Sequence, residues 1–262
     1  MPNSALQVAR TGLEAQDTRM RVIANNLANV GTTGFKRERA NFATLAYQNM
    51  RVAGQQSSSE TAYATGLNLG TGVAVQSTSR IVSQGTLNNT GNALDLALDG
   101  EGYFQVEMPG GQLAYTRAGN FTVSAEGELV TTQGYRVQPA ISVPEGVLAI
   151  SVAADGTVSA TTSDSAEPSE LGQLQLASFT NPAGLQASGE NFLLETAASG
   201  SPLIGTAGES GRGNIRQGML EGSNVNVVEE LVDMIECQRA YEINSKMISA
   251  VDEMLRNANQ TM

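Results

Sequence analysis

Apolar side chains near the amino terminus recur at alternating spacings of three and four residues, as they do along one face of a helix. The stripe consists of Leu6, Ala9, Leu13, Gln16, Met20, Ile23, Leu27 and Val30. Ser4 followed by Gln7 matches a capping box, in which each side chain bonds an unpaired backbone N–H at the helix start. Gly31 can end the helix in a left-handed conformation. The pattern predicts a helix from residue 4 to residue 30.

The carboxyl-terminal segment repeats this pattern, and it also holds a Gln near the middle of its stripe. Its members are Val227, Leu231, Met234, Gln238, Tyr241, Ser245, Ile248, Asp252 and Leu255. Asn226 followed by Glu229 is the matching start signal, so a second helix is predicted over residues 227–257. Ordinary core packing explains most such stripes. A lone polar residue within a stripe can, however, fix the register of a coiled coil. We therefore predict that the two terminal helices pack as a coiled coil and contact other copies of the chain.

Between the helices the period of the apolar residues changes to two, which is typical of strands. Short alternating runs lie at residues 94–98, 104–108, 121–129, 150–158 and 174–179. Turn sequences such as Asp155-Gly156 lie between the short strands, so residues 121–129 and residues 150–158 are each predicted to form a hairpin. The regular turns predict an all-β barrel or sandwich. Residues 159–170, rich in Ser, Thr and Ala, and the Gly-rich residues 197–213 are predicted to be loops.

Residues 48–80 fit neither pattern and are predicted to form an extended or hairpin arm, with a disordered linker as the alternative. The residues that mark the arm are Gln55, Gln56, Ser57, Ser58, Gly66, Leu67, Gly70 and Gly72. The predicted fold is thus mixed α and β. Residues 1–30 and 222–262 form a terminal helical domain for polymerisation, residues 31–80 form a connecting segment with the arm, and residues 81–221 form a β-rich outer domain.

Composition narrows the possible functions. The chain has no His and no Trp, and Cys237 is its single Cys. Nucleophile arrangements that need an imidazole base, zinc sites built on His or paired Cys, and intrachain disulfides are therefore excluded. Cys237 lies within the second predicted helix and is interpreted as a small packed side chain. The Gly-rich stretches lack the Lys-Ser/Thr pair of a phosphate-binding loop, so no cofactor is predicted.

Charge is unevenly distributed along the chain. The net charge of −11 argues against nucleic acid or an anionic membrane as the main partner. Residues 1–40 carry a net charge of +3, whereas residues 221–262 carry −5, so the two ends attract one another. No apolar run is long enough to span a membrane, and a cleavable export signal is not evident. A cytoplasmic protein is predicted unless export uses a route without such a signal.

Two stretches near the chain ends contain residues that helix formation alone does not explain. The stretch ANNLANVGTTGFK at residues 24–36 resembles the amino-terminal motif of the flagellar rod and hook family, and EGSNVNV at 221–227 with QRAYE at 238–242 resembles its carboxyl-terminal motif. The motif residues are Asn25, Asn26, Ala28, Asn29, Thr33, Gly34, Phe35, Lys36, Asn224, Val225, Asn226, Gln238, Arg239, Ala240 and Tyr241. Three internal stretches, at residues 99–104, 115–121 and 189–193, also resemble the family.

The resemblance implies a structural subunit that assembles with itself into a hollow helical drive shaft and transmits torque from motor to hook. Within the family, the chain length and the arm favour the distal rod, with a proximal rod or hook subunit as the alternative. The assembly interface is expected at most residues of the two stripes. On the first helix these are Leu6, Leu13, Gln16, Met20, Ile23 and Leu27, and on the second they are Val227, Leu231, Met234, Gln238, Tyr241, Ile248 and Leu255. The terminal helices are expected to line the channel, with the β domain outside them.

The resemblance also implies the partners and the location of such a subunit. The expected partners are proximal rod proteins, the hook protein, the surrounding P- and L-ring proteins, a rod-capping protein and the flagellar type III export apparatus. The subunit is expected in the basal body, spanning periplasm to outer membrane, exported without a cleaved signal and not inserted in a membrane. From a different class, a secreted polysaccharide-active β enzyme would need a carboxylate pair from Asp95, Asp99 and Glu101. The absence of Trp argues against a sugar cleft.

Overall fold

The computed structural model describes residues 2–56, 63–162 and 165–260, with side chains described at residues 5–56, 63–162, 168–254, 256 and 257. The chain divides into two compact units. The first, here called the terminal unit, comprises residues 1–27, 38–79 and 226–262. The second, the β unit, comprises residues 28–37 and 80–225.

Two helices occupy the predicted places in the terminal unit. Helix α1 spans Pro2–Ala28 and helix α2 spans Val227–Gln260. Asn226 caps α2 as predicted, because its side-chain oxygen accepts a hydrogen bond of 3.1 Å from the Val228 amide. Gly31 is not in a left-handed conformation, so the predicted end signal of α1 is wrong; Gly34 adopts that conformation instead, with φ of 69°. Within the described residues, no helix is long and apolar enough to cross a membrane.

The two helices run antiparallel where they touch, since rising residue numbers in α1 meet falling numbers in α2. The contacts join Gly12 to Asn244, Gln16 to Cys237, Arg19 to Asp233 and Asn26 to Glu230. The α2 residues at this contact are small or polar, with spacings of three and four residues. They therefore define one face of α2, which we call the packing face: Glu230, Asp233, Cys237, Ala240 and Asn244.

The predicted coiled coil is wrong. The apolar stripe of α2 is not the face that meets α1: Leu231 remains 43% exposed, and Val227 and Tyr241 are exposed as well. A coiled coil needs apolar side chains of both stripes to interdigitate in one seam. Here Asp233 and Glu230 find polar partners on α1, and Cys237 donates to a main-chain oxygen, so the polar and small face is selected instead.

Four strands complete the terminal unit. Strand β1 (Glu38–Thr44) pairs with β4 (Val73–Arg80), and β2 (Gln48–Arg51) pairs antiparallel with β3 (Leu67–Leu69) as a hairpin. The arm is attached to α1 at Gly72, whose φ is 121°: a Cβ there would clash with the Thr11 hydroxyl oxygen, which accepts a 3.4 Å hydrogen bond from the Val73 amide.

The remaining strands form the β unit. In chain order they are β5 Leu87–Asn89, β6 Leu96–Asp99, β7 Tyr103–Glu107, β8 Leu113–Thr116, β9 Phe121–Val123, β10 Leu129–Thr131, β11 Arg136–Gln138, β12 Val147–Val152, β13 Thr157–Thr162, β14 Ser165–Gln173, β15 Gln175–Ser178, β16 Gln186–Gly189, β17 Phe192–Leu194, β18 Leu203–Thr206, β19 Asn214–Gln217 and β20 Met219–Glu221, with a short 3-10 helix at Pro182–Gly184. The predicted hairpins β9–β10 and β12–β13 are confirmed.

The sheets of the β unit are open. The largest follows the order β16-β17-β8-β7-β11-β10-β9, with β15 and β18 branching from β7, and in the described chain its outer strands do not pair with one another. The predicted barrel or sandwich is therefore wrong. The apolar core of the β unit contains side chains from several sheets. Among its members are Leu96, Leu98, Phe104, Phe121, Val137, Ile141, Leu174, Leu176 and Ile215.

Two predicted loops also contain strands. Residues 159–170 fall largely in β13 and β14, and residues 197–213 include β18. Small Ser, Thr and Ala side chains gave no apolar alternation there. Strand β13 lies between β12 and β14 and pairs with both, and β18 pairs with β15, so long-range pairing places these segments in strands.

Candidate assembly surface and motif cluster

A buried ionic cluster joins the two family-like motifs within the β unit. Glu221 is fully buried, and one of its oxygens accepts hydrogen bonds from Lys36 Nζ at 2.5 Å and from the Gly85 amide at 2.9 Å. Its other oxygen accepts from Arg117 Nη1 at 3.0 Å. Lys36 Nζ also donates to the Ser83 carbonyl at 2.8 Å. One carboxylate thus accepts hydrogen bonds from two buried cations.

The cluster shifts the pKa values of its members. Burial by itself raises the pKa of Glu221, but Arg117, Lys36 and the Gly85 amide together outweigh it and hold the pKa below its ordinary value. Burial lowers the pKa of Lys36 more than the neighbouring carboxylate raises it. The geometry favours an ionised Glu221, because donors surround both of its oxygens.

Hydrogen bonds that involve the backbone hold the carboxyl-terminal part of the amino-terminal motif, residues 33–36, and the adjoining Arg37 beside this cluster. The Gly34 amide donates to the Glu221 carbonyl at 2.7 Å, and a Cβ on Gly34 would lie 2.7 Å from the Ala118 nitrogen. The Arg37 amide donates to Asn224 Oδ1 at 2.7 Å. Asn191 donates to the Thr33 carbonyl at 2.8 Å. Glycine is needed at position 34 for both its backbone conformation and its space.

Asn224 extends the same arrangement. Its side-chain nitrogen donates to the carbonyls of Ile81 and Ser83 at 2.9 and 3.0 Å, and its amide donates to the Phe35 carbonyl at 3.4 Å. Phe35 is half-buried and Val225 is buried. The motif residues 33–36 and 224–225 are therefore brought together, and they act as structural fastenings of the β unit.

Another motif residue, Asn26, is buried in the terminal unit. Its side chain exchanges two hydrogen bonds of 2.9 Å with the backbone of Glu38 and donates to Glu230 Oε2 at 3.2 Å. Asn26 thereby joins α1, β1 and α2, which explains a buried Asn in this helix. The remaining motif residues are on the surface or half-buried: Asn25, Ala28, Asn226, Gln238, Arg239 and Tyr241 are exposed, and Asn29 and Ala240 are half-buried.

The predicted interface residues divide by helix. On α1, Ile23 is buried, whereas Leu6, Leu13, Gln16, Met20 and Leu27 are half-buried. On α2, Met234 and Ile248 are half-buried and Val227, Leu231, Gln238 and Tyr241 are exposed, while the side chain of Leu255 lies outside the described residues. The exposed apolar surface is thus concentrated on α2.

A second set of exposed apolar residues on α2, which we call the outward face, was not predicted. It comprises Val228, Val232, Ile235, Ile243 and Met247. Val232 and Ile235 are each 51% exposed. At 100° per residue, Val232 and Cys237 point in directions about 140° apart, so the outward face around Val232 lies away from the packing face, and Met247 lies at its edge. Apolar side chains lie on both sides of this helix.

The arm hairpin is also exposed and apolar. Tyr47, Met50, Val52, Leu67 and Leu69 are exposed around β2 and β3, and Gln55, Gln56, Gly66 and Gly70 are exposed with them. The predicted arm residues Ser57 and Ser58 lie outside the described residues. Leu67, Leu69 and Val75 are all exposed in the isolated chain.

Comparison with known proteins covers nearly the whole chain. Residues 6–36 match the family described as flagella basal body rod protein, and residues 216–261 match the carboxyl-terminal family of flagellar basal body rod FlgEFG proteins. Residues 97–160 match the D1 domain of flagellar hook proteins FlgE/F/G. The flagellar basal-body rod protein FlgG of Buchnera aphidicola subsp. Schizaphis graminum is 50% identical over 98% of both chains. The chain belongs to the flagellar basal-body rod protein family.

Other members of the rod family give the same assignment. The FlgG proteins of Caulobacter vibrioides and Bacillus subtilis are 46% and 36% identical over 98% and 94% of both chains. The chain is therefore a structural subunit of the flagellar distal rod in the basal body, and it is not an enzyme.

The carboxylates considered for an enzyme have local structural contacts. Asp95 accepts hydrogen bonds from Thr90 at 2.6 Å and Asn92 at 3.1 Å, and Asp99 forms a 3.0 Å ion pair with Arg216. The sequence patterns do not indicate Glu221 and Arg117 as members of a site, although both lie in stretches that resemble the family. The available signal was Lys36: a Lys that follows Gly-Phe in a family motif needs a carboxylate partner once it is buried.

Proposed function

We propose that this rod subunit polymerises with copies of itself through two exposed surfaces of the terminal unit, the outward face of α2 and the arm hairpin. In the proposed contact the outward face of one copy meets the arm hairpin of the next copy, without the reverse contact between the same two copies, so the contact is heterologous. Heterologous contacts repeat without closing, and an open helical polymer follows. The predicted terminal domain, residues 1–30 and 222–262, remains the proposed polymerisation domain.

The observation that supports this proposal is the apolar outward face. A helix that packs on one side only carries polar residues on the other side. Here Val228, Val232, Ile235, Ile243 and Met247 are exposed instead. Covering the exposed part of each side chain contributes about 1 kcal/mol. Several such contributions per subunit favour a polymer, and attraction between basic and acidic segments adds orientation more than strength.

The finer aspects of the function rest on family membership. We propose a hollow drive shaft that spans the periplasm to the outer membrane and transmits torque between motor and hook. Its subunits would leave the cytoplasm through the flagellar type III export apparatus without losing a signal segment. Proximal rod proteins, the hook protein, the P- and L-ring proteins and a rod-capping protein are the proposed neighbours.

Charge substitutions on the outward face test the proposal. Val232→Asp and Ile235→Asp each place a carboxylate where a neighbour would cover it, so polymerisation and motility are expected to fail. Circular dichroism of the isolated subunit should be unchanged, because both positions are half exposed. Leu148→Asp, at an exposed apolar position of the β unit, is the matched control and should still form rods in electron micrographs. Normal rods from both α2 variants would refute the assignment of this surface.

A further inference from the structure

Glu221 connects four separate stretches of the β unit. Its carbonyl accepts from Gly34, and its carboxylate accepts from Lys36, Gly85 and Arg117. Its own strand, β20, pairs with β5 at Leu87. These bonds span 185 residues to Lys36 and 104 residues to Arg117. We propose that Glu221 is a latch that closes late in folding, so that the β unit is completed only when the segment 221–224 docks.

Sequence separation supports late closure. The cost of bringing two chain positions together grows with the length of the loop between them, so local hairpins such as β7–β8 form more readily. Segment 221–224 is held by residues 34–37 and 81–87, and a Cβ on Gly85 would clash with the Gly222 carbonyl oxygen. Such a close seam forms only after both sides have their final backbone conformation.

The chemistry makes closure all-or-none. Removing the Glu221 carboxylate from water is costly unless Lys36, Arg117 and the Gly85 amide are in place together. With one donor absent, the buried carboxylate keeps fewer hydrogen bonds, and without the carboxylate the two cations are buried unpaired. A partially assembled cluster is therefore less stable than an open one, in which each charge is hydrated.

The latch has a consequence for synthesis. Chains are made from the amino terminus, and here the closing segment begins at residue 221 of 262. The β unit therefore stays open until residues 221–224 have been synthesised. This delay acts within one subunit and does not depend on polymerisation, so it stands or falls separately from the assembly surface.

Pulse-labelling hydrogen exchange during refolding of the full chain tests the order of events. The amides of Gly34 and Gly85 donate to Glu221, so they are expected to gain protection after the amides of the β7–β8 ladder. Protection at Gly34 and Gly85 that appears together with the β7–β8 ladder, or before it, would overturn late closure.

Rates in a Glu221→Gln variant give a second test. Breaking a buried pair should lower the folding equilibrium constant about 100-fold to 1,000-fold. If the Glu221 contacts form late in folding, this decrease in the equilibrium constant comes from a faster unfolding rate, and the refolding rate changes less than about twofold. Glu145→Gln, at an exposed position of the same unit, should change neither rate. A refolding rate that falls by the full factor overturns the latch.

If Glu221→Gln does not fold, Asn224→Ala serves as the second test variant. It removes side-chain hydrogen bonds from the same segment without changing its charge. It too should act on unfolding and not on refolding. Lys36→Met and Arg117→Met, singly and combined, add a double-mutant cycle. The two cations share Glu221, so their effects are expected to be non-additive. Additive losses would show that Glu221 does not act as a single connecting residue.

Discussion

The Cys237 thiol donates a 3.1 Å hydrogen bond to the main-chain oxygen of Gln16, 221 residues earlier in the chain. The same sulfur lies 3.3 Å from the Gln16 side-chain oxygen. Cys237 is fully buried, and it is the only Cys in the sequence. Its thiol therefore reports on contact between α1 and α2 without any engineered label.

We expect Cys237 to react slowly with iodoacetamide in the folded subunit. Burial raises the pKa of its thiol and keeps reagent away, so the reactive thiolate is scarce. Gly12→Leu should speed labelling, because a Cβ at position 12 already lies 3.2 Å from Asn244 Nδ2 and a larger side chain separates the helices. Gly31→Ala, where a Cβ meets nothing within 4 Å, is the control. Equal labelling rates in the two variants would contradict the helix contact.

The β unit should lose stability in acid through Glu221. The pKa of Glu221 is lower in the folded state than in the unfolded chain, so its contribution is complete above the ordinary pKa and is lost as pH falls through the folded value. One proton gives a slope of at most about 1.4 kcal/mol per pH unit.

Denaturant unfolding between neutral pH and pH 3 measures the acid effect. Lys36 and Arg117 are the charged groups that face this carboxylate. Glu221→Gln should flatten the acid limb, while Glu145→Gln should keep the wild-type slope. An unchanged acid limb in Glu221→Gln would assign the acid loss to other carboxylates.

Gly34→Ala should destabilise the β unit by about 2 to 4 kcal/mol. The new Cβ meets backbone atoms of Arg117 and Ala118, which cannot move as a flexible side chain does, and the φ of 69° strains any L-residue. Thermal unfolding followed by circular dichroism measures the loss. Gly31→Ala serves again as control and should change stability by less than about 0.5 kcal/mol.

Tyr115→Phe should raise the stability of the β unit by about 1 kcal/mol. The Tyr115 hydroxyl is buried and has no hydrogen-bond partner among the described residues, while its ring stacks edge-on against Phe179 at 4.8 Å. The substitution keeps the ring contact and removes the unpaired polar group. The half-buried Tyr135→Phe is the comparison, and chemical denaturation provides the measurement. A less stable Tyr115→Phe would mean that this hydroxyl does have a partner.

Local patterns were sufficient for the elements that depend on neighbouring residues. Both helices and the hairpins β9–β10 and β12–β13 follow from spacing, caps and turns within a few residues. Strand β14 was missed because its Ser-, Glu- and Gly-rich sequence carries no apolar period. Its pairing depends on β13, and a pattern within a single segment does not contain that information.

The choice of helix face could not be predicted for a related reason. An apolar stripe indicates that Leu231 will be covered, but it does not say whether the cover is α1 or another molecule. The contact with α1 is determined by partners that lie far apart in sequence, such as Arg19 with Asp233. The cluster at Glu221 has the same property, because each of its bonds to Lys36 and Arg117 spans more than a hundred residues.

In the proposed polymer, the outward face of α2 sets a solubility limit for the free subunit. Each dissolved copy keeps Val232 and Ile235 half in water, whereas a copy at the end of a growing rod can cover them. Association of this kind has a critical concentration, below which subunits stay dispersed and above which added protein goes into polymer. The first few copies cover less of the face than later ones, so starting a rod is slower than lengthening it. Preformed rod ends should therefore remove the lag in a solution that is otherwise slow to polymerise.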